Sequence, residues 1–277
     1  MSAIRIKQLR KGVLMREGAG VKLHRYIGAD RNNDCDPVLL FDFFDSQDPM
    51  DFIGGFPSHP HRGFETVTYL LQGQIQHEDN HGRKGLIGPG DMQWMTAGKG
   101  VVHSEMPLAD SGRLTGLQFW LNLPAASKMT APGYQEFAAD AMPIEHHDNG
   151  MRIKVIAGKT ALGTQSPLNG IATSPLFFDV LLPAQQHMKQ SIPLSHQAFV
   201  FVLDGELRIE GESVARHELA VLDQGSDLLL DNRDQDSHFL LIAAKKLNEP
   251  VARLGPFVMN TDAEIVQAFD DFRNGRF

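Results

Sequence analysis

Two short segments carry the side chains best suited to hold a metal ion. One is His59-Pro60-His61 and the other is His103-Ser104-Glu105, each with two ligand-type residues at i and i+2. Successive side chains of a β-strand alternate between faces, so both members of such a pair point the same way. On two strands facing one another inside a barrel, the pairs bring three imidazoles and one carboxylate to a single point. These nitrogen and oxygen donors suit iron, manganese, nickel, copper or zinc. A divalent ion that accepts five or six ligands keeps one or two positions open beside them. A closed structural zinc site more often uses thiolates, and the single cysteine, Cys35, is remote in sequence. Pro60 has no N–H for a sheet ladder, which places its segment at a strand start or on an edge.

Glu65 leaves the ligand set open. It shares odd parity with His59 and His61, so a straight strand aims it into the same cavity. It is then a ligand in place of Glu105, a partner orienting a histidine, or a strand-end residue turned to solvent. His77, Glu78, Asp79 and His81 also have ligand chemistry, but Asn80 and Gly82 among them read as a solvated hairpin tip. The pair His146-His147 reads as surface. Trp94, Met92, Met95 and Met106 read as core, some of them walling a pocket, and Cys35 as an inert thiol.

These groups need strands to position them, and the chain supplies many. Short runs rich in branched and aromatic residues lie between glycine and proline turns: Val21–Ile27, Val38–Phe44, Glu65–Gln76, Met92–Met95 and Leu114–Leu123. After a change of composition near 124–150, such runs resume at Arg152–Ile156, Leu176–Leu182, Ala198–Leu203, Glu206–Ile209, Ala220–Leu222, Leu228–Leu230 and His238–Ala243. Close spacing of short strands predicts an all-β antiparallel sandwich or barrel. Thr261-Asp262-Ala263-Glu264 has the capping-box spacing, and Ile265, Ala268, Phe269 and Phe272 recur at helical intervals, so a short amphipathic helix follows.

The halves resemble each other when Gly73 is laid on Gly205 and Gly90 on Gly225. A duplicated β-barrel explains the repeat. In that alignment Ser191, Pro193 and Gln197 replace residues 59, 61 and 65, while His238 and Leu240 replace residues 103 and 105. A lone imidazole does not hold a metal, so the second barrel is expected to be structural. The expected division is 1–135 for the metal-binding barrel, 136–150 for a connector, and 151–277 for the second barrel with its helix.

Composition limits the function classes. The chain has 277 residues, 42% hydrophobic and 22% charged, enough for a sizeable core. A net charge of −8 with no basic block argues against direct nucleic-acid binding. No apolar run is long enough for a membrane helix, and the first residues lack the pattern of a secretory leader. With one cysteine, the expected location is the reducing cytoplasm.

The run from His59 through Gly73, then Pro89-Gly90-Asp91-Met92-Gln93-Trp94 through Val102-His103-Ser104-Glu105-Met106-Pro107, resembles the pirin family. The tail Gly255-Pro256-Phe257-Val258-Met259-Asn260-Thr261 is similar to that family's carboxy-terminal signature, so the likeness spans essentially the whole chain. Pirins belong to the cupin superfamily. The resemblance implies a bicupin, two antiparallel jelly-roll-like β-barrels with a short C-terminal helix, and one divalent metal in the amino-terminal barrel. It carries the ligand roles to His59, His61, His103 and Glu105, with iron as the usual metal and manganese, nickel, copper or zinc as alternatives. It implies a quercetin 2,3-dioxygenase-like oxidoreductase that cleaves a flavonol with O2 and releases CO. Glu105 is then the residue placed to take the substrate's proton. The alternative is a non-catalytic iron-binding regulator acting through a protein partner.

Overall fold

The β-branched and aromatic runs form strands because their side chains fit a pleated, half-buried surface. A computed structural model describes residues 2–29, 34–108 and 112–277. Val21–Ile27, Leu176–Leu182 and Glu206–Ile209 have the expected limits, whereas Ala198–Leu203 and His238–Ala243 extend to His196–Asp204 and Ser237–Lys245. Every pairing between these strands is antiparallel.

The chain divides into two compact units, 13–139 with 247–277, and 1–12 with 140–246. This differs at both ends from the linear division at 135 and 151, and sheet edges explain why. An edge strand presents unpaired backbone groups that a further strand can satisfy. Ile6–Lys11 supplies that strand beside Glu218–Leu222, so the first residues join the second-half unit. At the other end, Val258 N donates to Arg62 O at 3.0 Å, and Lys128 Nζ donates to Val258 O at 2.9 Å, fixing the tail to the first-half unit. The expected connector is not free of regular structure either. Ile144–His146 is an edge strand paired with Arg152–Ala157.

Each unit contains a seven-stranded and a four-stranded sheet, and the strand orders correspond. Phe64–Gln72 matches His196–Asp204, as the Gly73–Gly205 alignment expects. The second part of that alignment is corrected. Val101–Pro107 corresponds to Asp227–Asp231, while His238 lies on the counterpart of Leu114–Asn122. The second-half unit holds an apolar cluster that includes Met188, Leu207, Ile209, Leu228, Leu230 and Phe239. Where the first-half unit carries imidazoles, this one carries aliphatic side chains.

The closing helix, Asp262–Arg273, begins with the predicted capping box, Thr261 and Glu264 bonding reciprocally. Ile265 and Ala268 are buried, and Phe269 packs against their cluster with Phe257 and Met259. Among the described residues, no helix is long and apolar enough to cross a membrane.

Candidate metal centre

The strand Phe56–His61 lies at the edge of its four-stranded sheet, the position a proline at residue 60 allows. Its neighbour is Val101–Pro107, with His103 directly opposite His59. The two imidazole-bearing segments are therefore adjacent strands of one sheet, and not the facing strands expected. The register slips between His103 and Glu105, an irregularity that re-aims side chains at the site.

The ring nitrogens of His59, His61 and His103 all lie within 4.8 Å of one another, a group able to hold a metal ion. Ring centroids are 4.6 Å apart for His59–His61, 4.5 Å for His59–His103 and 5.1 Å for His61–His103. His59 Nδ1 donates to the Pro57 carbonyl at 2.8 Å, which leaves Nε2 with its lone pair. That Nε2 is 3.0 Å from His61 Nε2. Two donors ~2.1 Å from one ion and at right angles would be separated by about 3 Å.

Electrostatics favour neutral rings at His61 and His103. Burial, with repulsion from His103 and His59, holds His61 well below the ordinary imidazole range. Burial lowers His103 to about 4, opposed by the neighbouring Glu105 carboxylate. Both His103 nitrogens are buried without a hydrogen-bond partner. A polar group so placed costs free energy unless something else satisfies it, and a cation does so. The donor set therefore fits a divalent metal.

Glu105 is 3% exposed and lines the same cavity as His59 and His61, although it is not one of the three mutually close groups. Gln118 Nε2 donates to Glu105 Oε1 at 2.9 Å and Oε2 at 3.1 Å, and Thr68 Oγ1 donates at 3.4 Å. Gln118 and Thr68 come from paired positions on neighbouring strands of the seven-stranded sheet. The carboxylate is thus fixed across the barrel by the opposing sheet.

Glu65 does not enter this cavity. Gly63 has φ +88, and a Cβ there would collide with the Val258 carbonyl, so the backbone turns between the two flanking strands. After that turn, even-numbered Thr68 faces the cavity, and Glu65 lies on the other side. It is 2% exposed and accepts a 2.7 Å hydrogen bond from Thr96 Oγ1, which excludes the solvent-turned reading. Burial raises its carboxyl to about 7.

The expected solvated tip at 77–81 also needs correction. His77 and Asp79 are 1% and 6% exposed, because the strand Ile75–Asp79 continues beside Val101–Pro107. Asp79 stands opposite His103, His77 stands opposite Glu105, and His77 Nε2 lies 2.7 Å from Glu136 Oε1. Glu78 and His81 are exposed, as expected. His146 is exposed, and His147 lies beside Glu145 at 2.7 Å. Trp94, Met92 and Met95 are buried, and Met106 is half-buried.

The cavity that opens from the imidazoles measures about 400 Å³, within the usual range of small-molecule sites. Leu23, Leu40, Phe44 and Phe56 supply apolar walls, with Trp120 beside the histidines. Trp120 stacks on Phe64 at 4.4 Å and meets His61 at 5.2 Å. Sequence reading missed Gln118, Trp120, Asp42, Arg25 and Arg253, all of which line this space. Alternation along the predicted strand Leu114–Leu123 does put Gln118 and Trp120 on one face. Arg253 gives no local signal, since it lies beyond the repeats.

The Pirin family model matches residues 20–121, and the Pirin C-terminal cupin domain model matches 177–277. A pirin-like protein of Caulobacter vibrioides is 46% identical over 98% of both chains. Human pirin is 42% identical over 98% of this chain and 93% of its own. A solved structure of quercetin 2,3-dioxygenase from Acinetobacter baumannii is 33% identical, with a TM-score of 0.90 over 100% of this chain and 99% of that one. Likeness of this extent takes in both barrels and both family models, and the chain belongs to the pirin family of bicupins.

Proposed function

We propose that the chain is a metal-dependent dioxygenase that cleaves flavonols such as quercetin with O2 and releases CO, its ion held by His59, His61, His103 and Glu105. The observation that carries this reading is the convergence of three imidazoles, those of His61 and His103 buried, beside a largely apolar cavity. Likeness to the Acinetobacter quercetin 2,3-dioxygenase supports the choice of substrate. Iron is the first candidate for the ion, with manganese, nickel, copper or zinc as alternatives.

A divalent ion bound there supplies Lewis-acid charge that lowers the pKa of a hydroxyl beside it. Glu105 takes the proton from the flavonol 3-hydroxyl on one of its carboxylate oxygens. Gln118 Nε2, 2.9 Å and 3.1 Å from those oxygens, keeps the carboxylate oriented during the transfer. Phe56, with Leu23, Leu40 and Phe44, walls the space for a flat substrate and excludes water from its electron-rich ring.

The test is one anaerobic preparation. Its metal content is measured, a flavonol is added with O2, and CO is assayed. CO release in step with flavonol loss is the expected result. A fully loaded protein that releases none would leave the non-catalytic regulator acting through a protein partner.

A further inference from the structure

We infer that Arg253 reads an acidic oxygen on the substrate, so that the cavity prefers planar phenolic molecules bearing a carboxylate or ionised hydroxyl. This rests on the proposed flavonol reading and narrows its substrate class.

Two guanidinium groups line the cavity, and they are used differently. Arg25 is engaged with carboxylates. Its Nε and Nη2 donate to the two Asp42 oxygens at 2.8 Å each, and its Nη1 donates to Glu17 at 2.9 Å. Arg253 donates through Nη1 to the Leu39 carbonyl at 3.0 Å, and among the described residues it forms no ion pair at contact distance. Asp42 and Glu17 act on it through space, but their hydrogen bonds go to Arg25. The Arg253 guanidinium therefore keeps donors free at the cavity, in the fork that suits a carboxylate or phenolate.

Its position relative to the imidazoles is equally specific. The guanidinium carbon lies 4.9 Å from the Trp120 ring, and that ring lies 5.2 Å from His61. Arg253 also acts through space on His61, so the guanidinium and the imidazoles address one and the same cavity. Arg253 is exposed at the rim, yet burial of its head still lowers its pKa, so the charge is only partly compensated by water. An anion arriving there gains more than it would from a fully solvated arginine.

The hairpin does not require this side chain. Ala252–Leu254 and Phe257–Met259 pair through their backbones. The side chain does bond the Leu39 carbonyl and lie over Trp120, so thermal unfolding of each variant is measured beside binding to separate recognition from folding.

Binding is measured anaerobically by calorimetry on the metal-loaded chain, with wild type, Arg253→Met and Arg253→Lys. The probes are 3-hydroxyflavone and its derivatives with a carboxylate on the A ring or on the B ring. In wild type, one carboxylated probe should bind about tenfold or more tighter than the parent. Arg253→Met should erase that preference while keeping the parent's Kd within about twofold, and Arg253→Lys should restore part of it. Equal weakening of all probes in Arg253→Met, or no carboxylate preference in wild type, overturns the inference and leaves the flavonol reading standing. Failure of wild type to bind any of the three removes both.

Discussion

Gln118 donates its one amide nitrogen to both oxygens of Glu105, at 2.9 Å and 3.1 Å, from the sheet opposite the imidazoles. A carboxylate held in this way has little orientational freedom left to lose. Glu105→Gln removes the negative charge and the proton acceptor while keeping the shape. It should cut turnover by about 10²–10⁴-fold and weaken metal binding less than His103→Ala does. Gln118→Leu should lower kcat with metal content unchanged. CO assays paired with metal analysis check both, and equal loss of metal and turnover in Glu105→Gln would reduce Glu105 to a ligand.

Metal removal should destabilise the first-half unit. The three imidazoles crowd together at a cost that a bound cation offsets, and an ion held only by the folded chain stabilises it by mass action. At one hundred times Kd the gain is about 2.7 kcal/mol. Thermal unfolding with and without a chelator measures it. The shift should vanish in His103→Ala, and an equal shift in that variant would place the ion elsewhere.

Glu65 predicts a pH dependence independent of the metal. Its folded carboxyl titrates at about 7, against an ordinary value of 4.5. Between those values the folded chain holds the proton more tightly than the unfolded chain, so this contribution is full below 4.5 and is lost as pH rises through 7. The difference amounts to about 3 kcal/mol. Glu65→Gln carries no such loss, so it should gain on wild type as pH rises from 4 to 8 in urea titrations. A constant difference between the two proteins would show that burial does not perturb Glu65.

Lys128 is 1% exposed and gives all three ammonium hydrogens to neutral acceptors: Gly63 O at 2.8 Å, Asn122 Oδ1 at 2.7 Å and Val258 O at 2.9 Å. It joins the turn after the imidazole strand, the seven-stranded sheet and the tail. Burial lowers its pKa to about 8. Lys128→Met keeps the length of the side chain but leaves three acceptors unpaired, and should cost about 2–4 kcal/mol. Chemical denaturation measures this, and a neutral effect would mean that water replaces the ammonium.

What was legible in the sequence follows the range of the interactions involved. His59, His61 and His103 were found because strand alternation is local, and the structure does bring them together. Parity leaves Glu65 open because alternation does not carry through Gly63, where the backbone turns. Asn80 and Gly82 mark a turn and draw His77 and Asp79 into the expectation of a solvated tip. Burial of the preceding strand depends on its pairing with residues 101–107, which no local signal encodes. Gln118 faces Glu105 only through the register that sets it beside Thr68 and Asp42. The tail helix was easy to read because its cap and apolar stripe lie within a dozen residues.

The division of the chain into 13–139 with 247–277 and 1–12 with 140–246 has a consequence for biogenesis. During translation, the barrel bearing the imidazoles leaves the ribosome before the hairpin that carries Arg253 and Val258. Roughly a hundred intervening residues separate them, a delay of about 5–20 s at ordinary elongation rates. Throughout that interval the nascent cavity has its histidines but lacks Arg253 at its rim, and the Lys128 ammonium waits for its third carbonyl.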